Sequence, residues 1–276
     1  LNRIATPEYV RLCDQEPRYP SELYDAYVEM GLLRMPFPES VGGLGGSVID
    51  FAVIAEELGR KSYDFLGAYG TCVFNGLNIL HNGTEAQRAH WLPRLLDGRI
   101  KMSISMTEPG AGSDAGAMRT SARRDGAGPD ADWVINGTKM FITNGVHADL
   151  YFIAARTGTA RHAISMFIVE KGTPGFSVGR SLEKTGWLSS DTAELVFEDC
   201  RIPAANLLGE VDKGFHAVMK NFQTERIALA AMAVGHCTQA LKMTLEYVRD
   251  RRAFGATLFD KQVVRQRLAM LDAKTR

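Results

Sequence analysis

Between Met106 and Gly116 the chain reads Met-Thr-Glu-Pro-Gly-Ala-Gly-Ser-Asp-Ala-Gly, which sets three glycines, two hydroxyls and two carboxylates in one turn directly after the strand-like run Met102 to Met106. Glycines let a backbone approach a ligand and adopt positive φ. The freed amide N–H groups, with the hydroxyls of Thr107 and Ser113, can then donate to phosphate oxygens or ring acceptors. The chemistry this suits is the holding of an anionic cofactor. The turn has neither the Walker lysine pattern nor GxGxxG spacing, and its composition is equally that of an ordinary Gly-rich loop.

A second candidate lies far along the chain. Val218, Phe222, Glu225, Leu229 and Met232 recur at alternating steps of four and three, so a carboxylate interrupts an otherwise apolar helical stripe. A carboxylate held against apolar surroundings has a raised pKa, as a general base for a weakly acidic C–H requires near neutral pH. The pattern also fits a Glu225 paired with a basic residue at a helix contact, or one turned enough to reach solvent. The six histidines show no paired spacing on a helix face, so no metal site is expected.

Three segments must position these residues. Residues 1–100 carry apolar positions at helical spacing, as in Leu23 to Leu33 and Ile49 to Leu58, and are expected to form an all-α lobe. Thr84 and Gln87 form a capping box for a helix from Glu85 to Leu96, with Gly98 closing it and Pro93 expected to kink it. Over residues 101–210 the period becomes two. Met102 to Met106, Trp133 to Ile135, Lys139 to Thr143, Leu150 to Ala155, Ala163 to Glu170 and Glu194 to Phe197 read as strands of an antiparallel sheet, and Asn136-Gly137 reads as a hairpin turn. Residues 211–276 begin a helical domain, with one long helix from Gly214 to about Arg252, a break near Gly255 and a further helix from about Lys261.

Composition narrows the classes. The chain has 276 residues, 45% hydrophobic and 23% charged, enough for a well-buried core and more than one domain. Lys plus Arg equals Asp plus Glu at 32 each, so no global field favours nucleic acid and any anion site must be local. Cys13, Cys72, Cys200 and Cys237 are widely spaced and form no CxxC pair, which points to a reducing compartment, a bacterial cytoplasm or an organelle matrix. No apolar run approaches a membrane span, and the start at Leu1-Asn2-Arg3 suggests a chain trimmed at its front.

Six blocks occur in order: Pro38 to Gly45, Gly83 to Gln87, Thr107 to Asp114, Phe141 to Gly145, Val196 to Asp199 and Arg251 to Gly255. Together they resemble the acyl-CoA dehydrogenase flavoprotein family over nearly the whole chain. The resemblance implies an α+β fold with an N-terminal helical lobe, a middle β domain and a C-terminal helical bundle larger than the part carried here. It implies FAD as cofactor, with Thr107 near flavin N5 and Ser113 at the pyrophosphate or the CoA edge. The backbone of Ile104 to Ser113, including Met106 and Gly112, forms the wall, and Phe141 and Thr143 flank the ring. Phe141 stands where the family more often has tryptophan, so an aromatic face is kept with a smaller ring.

In most of the family the base lies in a Glu-Gly-Thr segment beyond residue 276. In the isovaleryl and long-chain branches it lies on the long helix, in a stretch like Gln223-Thr224-Glu225-Arg226. Glu225 is accordingly expected as base, Phe222 and Arg226 as substrate contacts, and Arg226 near the CoA phosphates. Arg251, Phe254 and Gln262 match positions that reach a neighbouring subunit's FAD. The implied reaction is α,β-dehydrogenation of an acyl-CoA to trans-2-enoyl-CoA, by a Glu base and hydride transfer to flavin N5, in a homotetramer that passes electrons to an electron-transferring flavoprotein. An acyl-CoA oxidase, a crotonobetainyl-CoA reductase-like enzyme and a DNA-associated alkylation-response flavoprotein are the alternatives within the same resemblance.

Overall fold

Side-chain caps start three of the α-helices, at Thr6, Ser47 and Thr84. In the computed structural model, which describes residues 1–276, the first layer holds α1 (Pro7–Gln15), α2 (Ser21–Glu29), α3 (Val48–Gly59), α4 (Phe65–Asn82) and α5 (Glu85–Leu96). Ser47 and Asp50 cap α3 reciprocally, and Thr84 and Gln87 do the same for α5. Gln87 also ties the start of α5 to the chain leaving the sheet, because its Nε2 donates to the carbonyls of Ala205 and Leu207 at 2.8 and 2.9 Å. The α5 helix continues through Pro93.

The sheet comprises β1 (Met102–Ser105), β2 (Ser121–Arg124), β3 (Trp133–Thr143), β4 (Leu150–Arg156), β5 (Ile164–Glu170), β6 (Phe176–Ser181), β7 (Thr192–Ile202) and β8 (Leu207–Leu208). Its order is β6-β7-β3-β2-β4-β5-β8, with β1 also on β4. Two expectations are corrected here. The sheet is mixed, since β1 and β2 both run parallel to β4. Asn136-Gly137 is no hairpin turn: β3 runs unbroken from Trp133 to Thr143, and the two residues form an irregularity opposite β7. Gly137 takes φ 145°, and the Asn136 side chain accepts from Asp199 N at 2.8 Å and donates to Asp199 Oδ1 at 3.0 Å. A β-bulge and a tight turn both favour Asn and Gly, so local sequence alone does not separate them.

Two cores cover the two sheet faces. Helices of the first layer, residues of β1, β4 and β5, and Val218, Ala228 and Met232 share one continuous cluster. Trp133, Tyr151, Phe167, Leu195 and Phe197 belong to the other. The chain then enters α6 (Gly214–Asp250), 37 residues and so roughly 55 Å long. A small hairpin, β9 (Arg252–Ala253) and β10 (Ala256–Thr257), leads to α7 (Gln262–Thr275). No helix is long and apolar enough to cross a membrane.

α6 lies hard against α3. A Cβ on Gly59 would fall 2.1 Å from the Met232 carbonyl oxygen, and one on Gly235 would fall 2.0 Å from that of Glu56. Both obstacles are backbone, so no rotamer change relieves them. Replacing glycine by alanine in a helix gains at most about 1 kcal/mol of propensity, against about 1–3 kcal/mol for forced overpacking. Gly235→Ala is therefore expected to lower unfolding free energy by up to about 2 kcal/mol in urea titration, because the backbone obstacle calls on the upper part of the overpacking range. An unchanged or raised midpoint would show that the crossing is slack.

Candidate active site

A cavity of about 320 Å³ opens where α4, α6, the end of β1 and the end of β3 converge. Ile104, Met106 and Thr107 line it from β1 and the following turn, and Phe141, Ile142 and Thr143 from β3. Phe222, Glu225, Leu229 and Met232 face it from α6, and Leu66 to Asn75 from α4. The structure thus brings together seven residues singled out in the sequence: Ile104, Met106, Thr107, Phe141, Thr143, Phe222 and Glu225.

Three consecutive wall residues from one strand need an explanation, because successive side chains of a regular strand point to opposite faces. Phe141 supplies it. Its φ is 61°, in the left-handed region, and the β3–β7 register shifts between Lys139 and Ile142. Such backbone costs a non-glycine residue about 1–2 kcal/mol. It leaves the Phe141 ring 64% exposed, while Ile142 behind it is buried. The result is an aromatic face turned toward open space, with the Thr143 hydroxyl beside it.

The turn after β1 is held to β3 by a buried ion pair. Lys139 is 0% exposed; its Nζ lies 2.8 Å from Glu108 Oε1 and donates to the Met106 carbonyl at 3.1 Å. Glu108 also accepts the backbone N–H groups of Arg119 at 2.6 Å and Thr120 at 2.9 Å. Met140 N donates to the Thr107 carbonyl at 2.9 Å. Burial pushes the Lys139 ammonium down to about 8, with Glu108 opposing that shift, so the ammonium persists at neutral pH. Burial acts to raise Glu108, but Lys139 and the two N–H donors outweigh it and hold the carboxyl below its usual value.

The turn itself has unspent donors. Glu108 and Ala111 pair with each other, whereas the amides of Gly110, Gly112 and Ser113 make no backbone hydrogen bond. Nothing lies within 4 Å of where a Cβ on Gly110 or Gly112 would stand. Gly112 and Ser113 are exposed and sit outside the cavity proper. With the Thr107 and Thr143 hydroxyls on the cavity wall, this donor-rich rim beside an aromatic face fits a planar, hydrogen-bonding ring system with an anionic tail.

Opposite that wall stands Glu225. It is half-buried and forms no ion pair, so the helix-contact alternative does not hold. Burial raises its carboxyl above the usual value, and the neighbouring Arg226 only partly offsets this. Arg226 is exposed and is not among the residues lining the cavity. Arg251, Phe254 and Gln262 are not part of this site. Glu225 and Arg251 are separated by 26 residues of helix, about 39 Å along the axis.

Several features escaped the sequence reading. Trp187 lines the cavity from a loop that looks merely polar. That loop is pinned to the head of α4, where Asp64 Oδ2 accepts Ser189 N at 3.0 Å and Ser189 Oγ at 2.5 Å, and Trp187 packs on Tyr63 with ring centroids 4.9 Å apart. The α4 wall, with Thr71 and Asn75, carried no signal beyond helical periodicity.

Lys139→Met would leave the Glu108 carboxylate buried without its cation. A loss of about 3–5 kcal/mol is expected in urea unfolding, with much of it recovered when Glu108→Gln is added. Equal losses in the single and double variants would show that the pair is not coupled.

Comparison with known proteins agrees with this geometry. The family models for the acyl-CoA dehydrogenase N-terminal, middle and C-terminal domains match residues 3–99, 103–200 and 212–276. The mitochondrial long-chain specific acyl-CoA dehydrogenase of Rattus norvegicus is 40% identical over 263 residues, 91% of this chain and 58% of the relative, so the chain spans well under two thirds of that protein's length. The structure of butyryl-CoA dehydrogenase from Megasphaera elsdenii superposes with a TM-score of 0.93 at 35% identity, covering 99% of this chain and 72% of that one. A glutaryl-CoA dehydrogenase from Mycobacterium smegmatis in complex with FADH2 gives 0.87 at 31% identity, covering 94% and 65%. Domain models along nearly its whole length, and a fold shared with these enzymes, place the chain in the acyl-CoA dehydrogenase family.

Proposed function

We propose that this chain is the flavin- and acyl-binding part of an FAD-dependent acyl-CoA dehydrogenase of the isovaleryl or long-chain type. It comprises a helical domain (1–100), a β domain (101–210) and the start of a helical domain (211–276). The observation that carries the reading is the unpaired, desolvated Glu225 carboxylate across one cavity from the Thr107, Phe141 and Thr143 wall. FAD, when bound there, supplies the hydride acceptor. Its presence in the Mycobacterium smegmatis structure supports the assignment.

The chain's own groups do the rest. Phe141 and the Thr107 and Thr143 hydroxyls orient the ring, and the free amides of Gly110, Gly112 and Ser113 meet the phosphates. Apolar lining from Leu66, Phe74, Leu229 and Met232 excludes water around the acyl chain. Glu225 takes the α-proton of the thioester as a hydride leaves the β-carbon, giving a trans-2-enoyl-CoA. Its raised pKa brings its basicity closer to that of the carbon acid it must deprotonate. Phe222 confines the chain beside it, and Arg226 and Ser113 lie toward the CoA phosphates.

The distance from Glu225 to Arg251 supports a cofactor site shared between copies, with Arg251, Phe254 and Gln262 serving the neighbour in a homotetramer. An electron-transferring flavoprotein is the acceptor that fits such an enzyme, in a bacterial cytoplasm or an organelle matrix.

In the FAD-loaded, full-length protein, acyl-CoA added without oxygen is expected to bleach the flavin band. Glu225→Gln should slow bleaching by about 10²–10⁴-fold while ligand still binds. Because only the ionised carboxylate accepts the proton, the wild-type rate should climb with pH through a value above 4.5, the ordinary Glu pKa, and then level off. Bleaching at the wild-type rate in the variant would remove Glu225 from the role of base.

A further inference from the structure

The cavity has two unlike ends. α4 and α6 run antiparallel along it: Tyr63, just before α4, packs edge-on against His236 of α6 with ring centroids 5.4 Å apart, whereas His81, at the other end of α4, shares a groove with His216 and Lys220. The strand side has the same polarity. Thr107, which leads into the donor-rich turn, is bonded to Met140, while Asn144 N donates to the Asp191 carbonyl at 3.0 Å and so ties the other end of β3 to the loop between β6 and β7. The free amides of Gly110, Gly112 and Ser113 therefore lie toward one end, and Trp187, carried on that loop, closes the other.

Between Glu225 and Trp187 the helix side of the lining is apolar. Leu229 and Met232 follow Glu225 on α6, and Leu66 stands at the head of α4. Met232 is seven residues past Glu225, roughly 10 Å along the helix axis. Trp187 sits at the corner just beyond, because its ring packs on Tyr63, and Tyr63 packs on His236, one turn after Met232.

The indole is held there as a fixed obstacle. Ser189 binds Asp64 through both its N–H and its hydroxyl, Lys184 Nζ donates to the Ser190 carbonyl, and a Cβ on Gly67 would come within 2.8 Å of Ser190 Oγ, so the loop lies tight against α4. Trp187 itself takes φ 59°, a backbone that glycine adopts freely and that a bulky residue resists. Its side chain is 41% exposed, so burial in the protein's own core does not account for a tryptophan at this point. Strain retained beside a cavity calls for a ligand-facing role.

Resting on the dehydrogenase reading above, we propose that Trp187 is the chain-length stop of the acyl pocket: with the thioester at Glu225, the far end of the acyl chain meets the indole, whose bulk sets the longest straight chain the enzyme accepts. An apolar pocket discriminates by such steric limits, since each methylene that cannot be accommodated costs transition-state binding.

The test uses the full-length, FAD-loaded enzyme and straight saturated acyl-CoAs of increasing length, from butyryl to palmitoyl. In wild type, kcat/KM for anaerobic flavin reduction is expected to fall by about tenfold or more once the chain outgrows the pocket. Trp187→Gly, which suits the left-handed backbone, should move that fall to longer chains, and Trp187→Phe should move it less. A binding readout without turnover is obtained in the Glu225→Gln background, where adding Trp187→Gly should tighten the Kd of the longer thioesters, read from the flavin spectrum, more than that of the shorter ones. A wild-type profile with no fall, or one whose position is the same in Trp187→Gly, overturns this inference and leaves the dehydrogenase reading standing. So does an equal loss at every chain length or a loss of FAD in that variant, which would assign the ring to the cofactor or to the fold. Bleaching of the wild-type flavin by none of the thioesters overturns both.

Discussion

The Lys139–Glu108 pair is the constraint from which the rest of the cavity follows. A buried ammonium is tolerable only if its charge is answered and its protons are accepted. Here the answering carboxylate belongs to the turn after β1, and the ammonium belongs to β3. One interaction therefore sets the separation of the two backbone segments that form the strand-side wall of the cavity. Lys139 also holds the Met106 carbonyl, one residue before Thr107, and so fixes the backbone leading into Thr107. Additional ties run between the same elements: Ser103 Oγ donates to the Thr143 carbonyl at 2.7 Å, and Asn144 Nδ2 to that of Met102 at 3.0 Å. With both ends of the wall anchored, the left-handed Phe141 can persist as a local strain of a kind that survives only where its surroundings over-determine it.

The opposite wall obeys a different logic. α6 has no polar anchor at Glu225, and what places that carboxylate is steric. Gly59 and Gly235 let the α3 and α6 backbones meet, and Met232, whose carbonyl lies against Gly59, also lines the cavity. Glu225 stands seven residues earlier, two turns along the same face. The closeness of the crossing thus sets how far the carboxylate enters the cavity, and with it how much water is stripped from it. The raised pKa is accordingly a property of helix packing.

What could be read from the sequence divides along the same lines. The helical stripe around Glu225, the reciprocal cap of α5 and the long uninterrupted α6 are local patterns, and they appear in the structure as the sequence suggests. Lys139 was invisible because a lysine in a strand is ordinarily solvated, and its partner lies 31 residues away. Phe141 to Thr143 look like an alternating strand, and only the left-handed φ turns all three toward one space. Asn136-Gly137 misled because the same residue types serve a bulge and a turn. Trp187 lay hidden in a polar stretch, since its position depends on Asp64, 125 residues from Ser189. Each failure concerns a contact between distant segments or a backbone angle, neither of which binary patterning encodes.

The β9–β10 hairpin extends the same strain logic beyond the cavity. Its two-residue loop is Phe254-Gly255, with φ values of 54° and 77°. Positive φ at both positions is the geometry whose twist suits a two-residue hairpin, and it favours Asn-Gly or Gly-Gly. A phenylalanine at the first position bears the left-handed cost that glycine avoids, and its ring is 98% exposed. Within one chain the ring gains little beyond the Lys261 ammonium 5.9 Å from its centroid. At Phe141 the same combination, an aromatic side chain on left-handed backbone with its face outward, sits at the cavity mouth. The same combination recurs at the far end of α6, beside Arg251 and Gln262, the residues proposed above to serve a neighbouring copy's cofactor.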